Sequence, residues 1–341
     1  MKRVVFAKIP SSEAGPVIRD LMGREMVDIH AKIGKDQDFR YVPIMPDHIG
    51  TVSDMGYEMV EGDAYTLDRR SPQERIAAKL EAYPELRDIV PTRWEFVGDI
   101  VIVKMDPRCR PYSDIIGRTY AEVLDAKTVC ADVRGVSGEF RQPSMELIHG
   151  SKTKSTRLEN GIKYRFDVTK VMFASGNVDE RERMKNLDCT GETVVDMFAG
   201  IGYFTLPLAK FSGAKRVIAC EKNPESYGFL VDNVELNEVS HIVEPILGDN
   251  RDIPGECFAD RILMGYVQIT SEFIPKALQL IKPGGMIHYH DTFYINEYKE
   301  KVNEMFTKYC GDRRFVVEGI REVKSFAPSV SHYVADVRIL D

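Results

Sequence analysis

The chain has 341 residues, 43% hydrophobic and 29% charged, which excludes a disordered or fibrous protein and allows about two domains. No window holds the roughly 18 apolar residues of a membrane span, and the apolar run after Met1 ends at Lys8, too short for a secretory signal. Cys109, Cys130, Cys189, Cys220, Cys257 and Cys310 stand singly, with no C-x-x-C pair. This disfavours a zinc ribbon or disulfide scaffold and predicts a cytoplasmic protein.

The net charge is −7, but its distribution is uneven. Residues 191–341 hold 16 Lys and Arg against 22 Asp and Glu, so six of the seven excess negative charges lie there. Just upstream, Lys152, Lys154, Arg157, Lys163, Arg165 and Lys170 face only Glu159 and Asp167 between Ser151 and Lys170. That local surplus suits either phosphate binding or an ordinary solvated face.

In chain order, a strand is predicted over Val4 to Ile9, then a helix carrying Val17, Ile18 and Leu21 on one side, then a strand ending at Ile44. The polar, glycine-containing residues from Asp47 to Asp63 read as a linker. Ser71-Pro72-Gln73-Glu74 reads as an N-cap, a first-turn proline and a capping-box partner. A strand over Ile100 to Val103, a helix over Tyr112 to Leu124 and a strand over Thr128 to Val133 follow. From about Lys163 strands and helices alternate, as in a parallel sheet built of β-α-β units. Three parts are therefore expected: a small domain over 1–65, a middle α/β domain over 71–160 and a ligand-binding domain over 161–341.

Val194 to Phe204 reads as a strand, a glycine turn and a helix start, in which Gly200 and Gly202 allow close backbone approach to a ligand. The next strand ends at Glu221, 19 residues past Gly202, where a carboxylate accepts ribose hydroxyls. A third strand ends near Gly248-Asp249-Asn250, where a carboxylate and an amide can read an adenine edge. A dinucleotide fingerprint needs a third glycine or alanine, and Thr205 stands there instead. Asp196 before the glycines would repel a phosphate but suits a cationic, zwitterionic ligand. These features favour S-adenosylmethionine over a nicotinamide dinucleotide.

With these residues in place, the chain resembles two sister families that share a class I methyltransferase domain. They are the archaeal and eukaryotic tRNA guanosine-37 N1-methyltransferases and the wybutosine-pathway tRNA aminocarboxypropyl transferases. The resemblance rests on Val194 to Lys210, Glu221-Lys222-Asn223-Pro224 and Ile246 to Arg251, with Pro91 to Ile100 like the middle domain. Gly138-Glu139-Phe140-Arg141 is similar to the segment bearing an active-site arginine. Methylating members carry N-x-P after the fourth strand, where this chain has Gly265-Tyr266-Val267, and P-R-L where it has Ser175-Gly176-Asn177. Both departures resemble the aminocarboxypropyl family.

The resemblance implies a Rossmann-like seven-stranded sheet with smaller α+β N-terminal domains. It also implies transfer of the 3-amino-3-carboxypropyl group of S-adenosylmethionine to 4-demethylwyosine at position 37 of phenylalanine tRNA, in the anticodon loop. Arg141 and Glu180 are the candidate catalytic residues, although Glu180 is equally well a plain helix-start carboxylate. Ser175, Arg181, Asp196, Phe198, Gly200, Gly202, Glu221, Lys222, Asp249, Asn250 and Gly265 are the candidate cofactor contacts. Arg181 is expected to hold the amino-acid carboxylate by two parallel bonds. His288 and His290 share a strand face, but no further ligand cluster is visible and no metal is expected. Trp94, the only tryptophan, reads as core rather than a stacking platform. The alternatives are an N1-methyltransferase, a nicotinamide-dependent dehydrogenase and a non-catalytic tRNA-binding module.

Overall fold

The computed structural model describes every residue except Glu139, which falls in the Gly138–Arg141 motif. Residues Met1–Ala78 and Lys79–Asp341 form two compact units. In the first, β1 (Lys2–Pro10), α1 (Ala14–Gly23), β2 (Gly34–Lys35), β3 (Phe39–Ile44), α2 (Ile49–Asp54) and β4 (Glu58–Ala64) build a sheet of order β2-β3-β1-β4. Ala7, Ile9, Leu21, Val42, Ile44 and Val52 close its core.

The span from Asp47 to Asp63 is not the expected linker. It contains α2 and most of β4, which pairs antiparallel with β1 from Lys2↔Ala64 to Lys8↔Glu58. As an edge strand it needs little apolar surface. Its Glu58 and Glu61 instead form exposed ion pairs with Lys8 at 2.8 Å and Arg3 at 2.9 Å, so its composition looks like a loop. The capping box at the start of α3 (Pro72–Lys79) forms as expected: Ser71 N–H donates to Glu74 Oε2 at 2.6 Å, and Glu74 N–H donates to Ser71 Oγ at 3.2 Å.

The second unit opens with β5 (Trp94–Val97), β6 (Ile100–Lys104), α4 (Ser113–Leu124), β7 (Thr128–Ser137) and β8 (Gln142–His149). These strands form a sheet of order β5-β6-β7-β8, with β6 and β7 parallel across α4. Trp94 is half-buried and meets Tyr120 edge-on at 6.0 Å, a core contact. The hairpin of β9 (Lys154–Glu159) and β10 (Ile162–Asp167) follows.

The large sheet uses β11 (Thr193–Asp196), β12 (Arg216–Glu221), β13 (Val243–Leu247), β14 (Ala259–Met264), β15 (Ile281–Tyr294), β16 (Phe315–Ala327) and β17 (Val330–Ile339). Its helices are α5 (Val178–Asn186), α6 (Thr205–Phe211), α7 (Pro224–Leu236), α8 (Ile274–Leu280) and α9 (Tyr298–Cys310). The order is β13-β12-β11-β14-β15-β17-β16, parallel from β13 to β15 and antiparallel at β17 and β16. Strand order reverses at β11, so its carboxyl end opens the crevice where such sheets bind ligands. Among the described residues no helix is long and apolar enough to cross a membrane.

Gly117 marks where α4 lies closest to β8. A Cβ there would stand 2.3 Å from the Ile148 carbonyl oxygen. Alanine normally gains about 1 kcal/mol over glycine inside a helix. Here overpacking against backbone outweighs that gain, and Gly117→Ala should cost about 1–3 kcal/mol net by urea denaturation.

Candidate active site

A cavity of about 350 Å³ opens at the carboxyl ends of β11, β12, β13 and β14. Its floor is a glycine turn tied to a carboxylate. Gly200, in the left-handed region at φ 57°, donates its N–H to Glu221 Oε2 at 2.8 Å, and Asn223 N–H donates to Glu221 Oε1 at 2.7 Å. Burial pushes the Glu221 carboxyl above its ordinary range, while these amides oppose the shift. With a further amide from Lys222, three of the carboxylate's roughly four acceptor positions are filled, and one remains for a ligand hydroxyl.

Asn250, 5% exposed, donates Nδ2–H to the Met197 carbonyl at 2.9 Å and leaves Oδ1 buried without a partner. An unpaired buried acceptor on a cavity wall suits an amino group such as that of adenine. Phe198 stacks on Tyr266 at 5.2 Å and meets Phe273 edge-on at 5.0 Å, giving the wall an aromatic face. Asp249 also lines the cavity. Arg251, at 2.7 and 2.8 Å, and Lys222, at 3.3 Å, hold its carboxyl far below the ordinary range. The residues present therefore fit an adenosine.

Three cations line the rest of the wall: Arg141, Arg181 and Lys324. Arg181 is 2% exposed, with Nε on Glu159 at 2.5 Å, Nη1 on the Ala174 carbonyl at 2.9 Å and its guanidinium over Phe173. Nη2 of Arg181 and Nε of Arg141 are buried without partners. Two of the five N–H groups of Arg181 are engaged and three remain, one on Nη1 and two on Nη2, so the guanidinium still offers donors to a carboxylate at that end. Lys324 is pushed below its ordinary range by burial and by Arg141 and Arg181. A carboxylate entering there would satisfy donors that are now unpaired.

Several expected contacts take other positions. Asp196 is wholly buried and outside the wall, where it accepts from Thr205 Oγ1 at 2.7 Å and from Phe198 N–H at 3.2 Å. It holds the turn from beneath. Gly202 is also outside the wall, and a Cβ there would meet Leu206 at 2.7 Å, so its role is packing. Ser175 donates its hydroxyl to Glu95 at 2.9 Å and lines an adjoining recess that shares Arg141, Ala174 and Lys324 with the cavity. Glu180 is 3% exposed, clamped by Arg183 at 2.5 to 3.1 Å, and does not reach the cavity. Gly265 does line it, with the Phe204 ring 2.8 Å from where a Cβ would be.

The basic run is also less available than its sequence implied. Arg157 pairs with Glu159 at 3.1 Å and the Phe96 carbonyl at 2.9 Å, and Lys154 pairs with Asp232 at 3.2 Å. The histidines are engaged as well. His288 lies between Asp336 at 2.5 Å and Arg261 at 2.8 Å, and His290 meets His332 at 3.1 Å. Among the described residues no cluster of His, Cys, Asp and Glu is arranged to hold a metal ion. Lys324 and His332 line the cavity yet escaped sequence reasoning. They arrive opposite each other on the β16–β17 hairpin, more than 120 residues beyond the glycine turn, with no local signal.

Fold and cavity define a class I S-adenosylmethionine-dependent transferase. The TRM5/TYW2 methyltransferase domain model matches residues 155–318, and the TYW2 N-terminal domain model matches residues 74–153. A tRNA(Phe) (4-demethylwyosine(37)-C(7)) aminocarboxypropyltransferase of Pyrococcus horikoshii is 44% identical over 79% of this chain and 96% of its own. The crystal structure of P. horikoshii TYW2 in complex with MeSAdo superposes with a TM-score of 0.71 at 41% identity, over 79% of this chain and 99% of that one. A tRNA (guanine(37)-N(1))-methyltransferase Trm5b of Pyrococcus abyssi is 33% identical over 97% of this chain and 98% of its own. The chain belongs to the TRM5/TYW2 family.

Two predictions test the site. Burial pushes the Asp196 carboxyl up to about 6, against the Thr205 and Phe198 bonds that lower it. The folded state then binds the extra proton between about pH 4 and 6, so stability from the neutral form is lost as pH rises through that window. Asp196→Asn should remove the loss, raise stability at pH 7 by up to about 3 kcal/mol and leave S-adenosylmethionine affinity within about threefold, by thermal denaturation and calorimetry. Glu221→Gln, by contrast, sets an amide N–H₂ against the N–H of Gly200 or Asn223. It should weaken the same affinity by about 1–3 kcal/mol.

Proposed function

We propose that this enzyme transfers the 3-amino-3-carboxypropyl group of S-adenosylmethionine to 4-demethylwyosine at position 37 of phenylalanine tRNA, releasing 5′-methylthioadenosine. The observation that carries this reading is the group of cations around Arg181, with buried unpaired donors at Arg181 Nη2 and Arg141 Nε. When bound, the donor supplies a sulfonium that activates each of its three attached carbons. The protein's task is then to choose which carbon faces the base, about 3–3.5 Å away and in line with the breaking bond.

Glu221 holds a ribose hydroxyl, Asn250 accepts from the adenine amino group, and Asp249 with Lys222 closes that end. Phe198 and Gly200 complete the wall around the adenosine. Arg181, with Arg141 and Lys324, draws the amino-acid carboxylate toward the tRNA side and so turns the propyl carbon to the base. Gly176 makes room for this, since a Cβ there would stand 3.0 Å from Lys324 Cδ. Functionally, residues 1–65 serve tRNA docking, the middle domain over 71–160 supplies Arg141 to the site and 161–341 carries the rest of the chemistry, and the protein works in the cytoplasm with its cysteines reduced.

The N1-methyltransferase is the second reading, favoured by the Trm5b relative's coverage of 97% of this chain. Gly265 opposes it: the place of a base-holding asparagine is taken by the Phe204 ring.

Carboxyl-labelled S-adenosylmethionine should transfer its label to tRNA and methyl-labelled donor should not; the reverse pattern would establish the methyltransferase. Arg181→Lys is the sharper variant, because alanine would break the buried pair with Glu159, leaving that carboxylate only Arg157, and would destabilise the fold. Losing the Nη2 donor should weaken S-adenosylmethionine binding by about 1.5–3 kcal/mol. Affinity for methylthioadenosine, which has no carboxylate, should stay within about threefold.

A further inference from the structure

Transfer to a ring carbon leaves one proton to remove. As the carbon–carbon bond forms, the carbon–sulfur bond breaks and its electron pair stays on sulfur, which departs as a thioether. The base is then cationic until the proton on the attacked carbon leaves. That proton is acidic, so a weak base suffices, provided it is placed in the cavity and stays neutral.

Glu180, a candidate catalytic residue by sequence, is shut away from the cavity, but a file of imidazoles leads toward it. His332 lines the cavity; its Nε2 is 3.1 Å from His290 Nδ1; and His290 Nε2 is 3.6 Å from Glu180 Oε1. His290 is 1% exposed, lies flat on Phe204 at 5.2 Å and has a buried Nε2 with no hydrogen-bond partner. An orphaned buried polar atom costs about 1–3 kcal/mol, which a purely structural aromatic residue would avoid.

The tautomers follow from what each neighbour can accept. Arg183 grips the Glu180 carboxylate, which is acceptor-only when ionised, so the facing His290 Nε2 carries the hydrogen. His290 Nδ1 then accepts from His332 Nε2–H, and the lone pair of His332 falls on Nδ1. The same logic fixes His288, whose Nε2 faces the donor-only Arg261 and whose Nδ1–H donates to Asp336.

We infer that His332 is the general base of the transfer and that His290 and Glu180 act behind it as a proton relay. The inference rests on the aminocarboxypropyl reading above. The proton from the ring carbon enters at His332 Nδ1, the Nε2 proton of His332 passes to His290 Nδ1, and the Nε2 proton of His290 passes to Glu180. One proton enters and one arrives at the carboxylate. Both imidazoles end neutral.

Neutrality matches their surroundings. Burial, His290, Lys324 and Arg141 hold His332 down to about 3. Burial, Arg183, His288 and Arg321 hold His290 well below its ordinary range, against only Asp336. The last link, at 3.6 Å, exceeds a hydrogen bond and must shorten when tRNA binds, as catalytic contacts in empty sites commonly do.

The test uses the full chain, S-adenosylmethionine and tRNA carrying 4-demethylwyosine with hydrogen or deuterium at the attacked carbon. His332→Asn should lower the single-turnover rate at least about 100-fold, the scale of a lost general base. A primary isotope effect larger than wild type's should appear as proton removal becomes limiting. Methylthioadenosine and tRNA affinities should stay within about threefold, which also shows that the variant folds. If it does not fold, His290→Gln carries the same comparison. Imidazole should partly restore His332→Ala.

Independently of activity, nitrogen-15 NMR of the free enzyme should show His332 unprotonated at Nδ1 and protonated at Nε2, a preference that Glu180→Gln abolishes. An unchanged rate, an unchanged isotope effect or the opposite tautomer would overturn the relay. Transfer of label from methyl-labelled donor by wild type would instead overturn the function on which it rests.

Discussion

The cavity depends on one carboxylate. Glu221 accepts the N–H of Gly200 with one oxygen and the N–H of Asn223 with the other, so two strand-end loops are fixed by a single side chain at the end of β12. The turn can take this course because Gly200 occupies the left-handed region, and Asp196 braces it from below through Phe198 and Thr205. The result is a pair of carboxylates with divided tasks. The buried one shapes the backbone; the half-buried one also lines the cavity. Burial raises both, so each depends on its amide and hydroxyl donors to remain an acceptor.

Opposite the adenosine end, the protein accepts the cost of buried positive charge. Arg181 and Glu159 are 2% and 7% exposed at their side chains, where desolvation consumes most of the Coulombic gain of a pair. Such a pair is a poor source of stability but a firm anchor. It leaves one guanidinium nitrogen pointing where a carboxylate can complete it, beside Arg141 and Lys324. The unpaired Nη2 and Nε are unfinished hydrogen bonding on the cavity wall, the feature on which the proposed carboxylate grip rests.

Much of this was legible in sequence because the β11–α6 turn, Glu221 and Asp249-Asn250 follow one another at successive strand ends of a parallel sheet. Residue type and spacing there fix position. They do not fix direction, which is why Asp196 and Gly202 were expected as ligand contacts and lie outside the cavity lining. Arg181 was masked differently. It stands in the charge run Asp179 to Arg183, which in most helices faces water, and it is buried only because Glu159 reaches it from β9. The strand β4 was hidden because its charges are satisfied by exposed partners on β1. Lys324 and His332 were invisible for a topological reason: an antiparallel hairpin brings them to the cavity, and no local pattern encodes that pairing.

Gly265 links the two ends of the chemistry. Without a Cβ it lets the Phe204 ring approach to 2.8 Å from where that atom would be, and Phe204 in turn lies flat against His290 at 5.2 Å and 20°. A side chain at 265 would push the ring away and loosen the face that holds His290 in line with His332. An interior this dense relaxes by shifting neighbours, not by absorbing an extra group. An asparagine positioned to hold a guanine edge and a histidine file backed by Phe204 therefore compete for the same space. Of the two departures from the methylating pattern, the one at Gly265 removes a base-holding amide, and it also gives the aromatic ring and the imidazole behind it the room to pack.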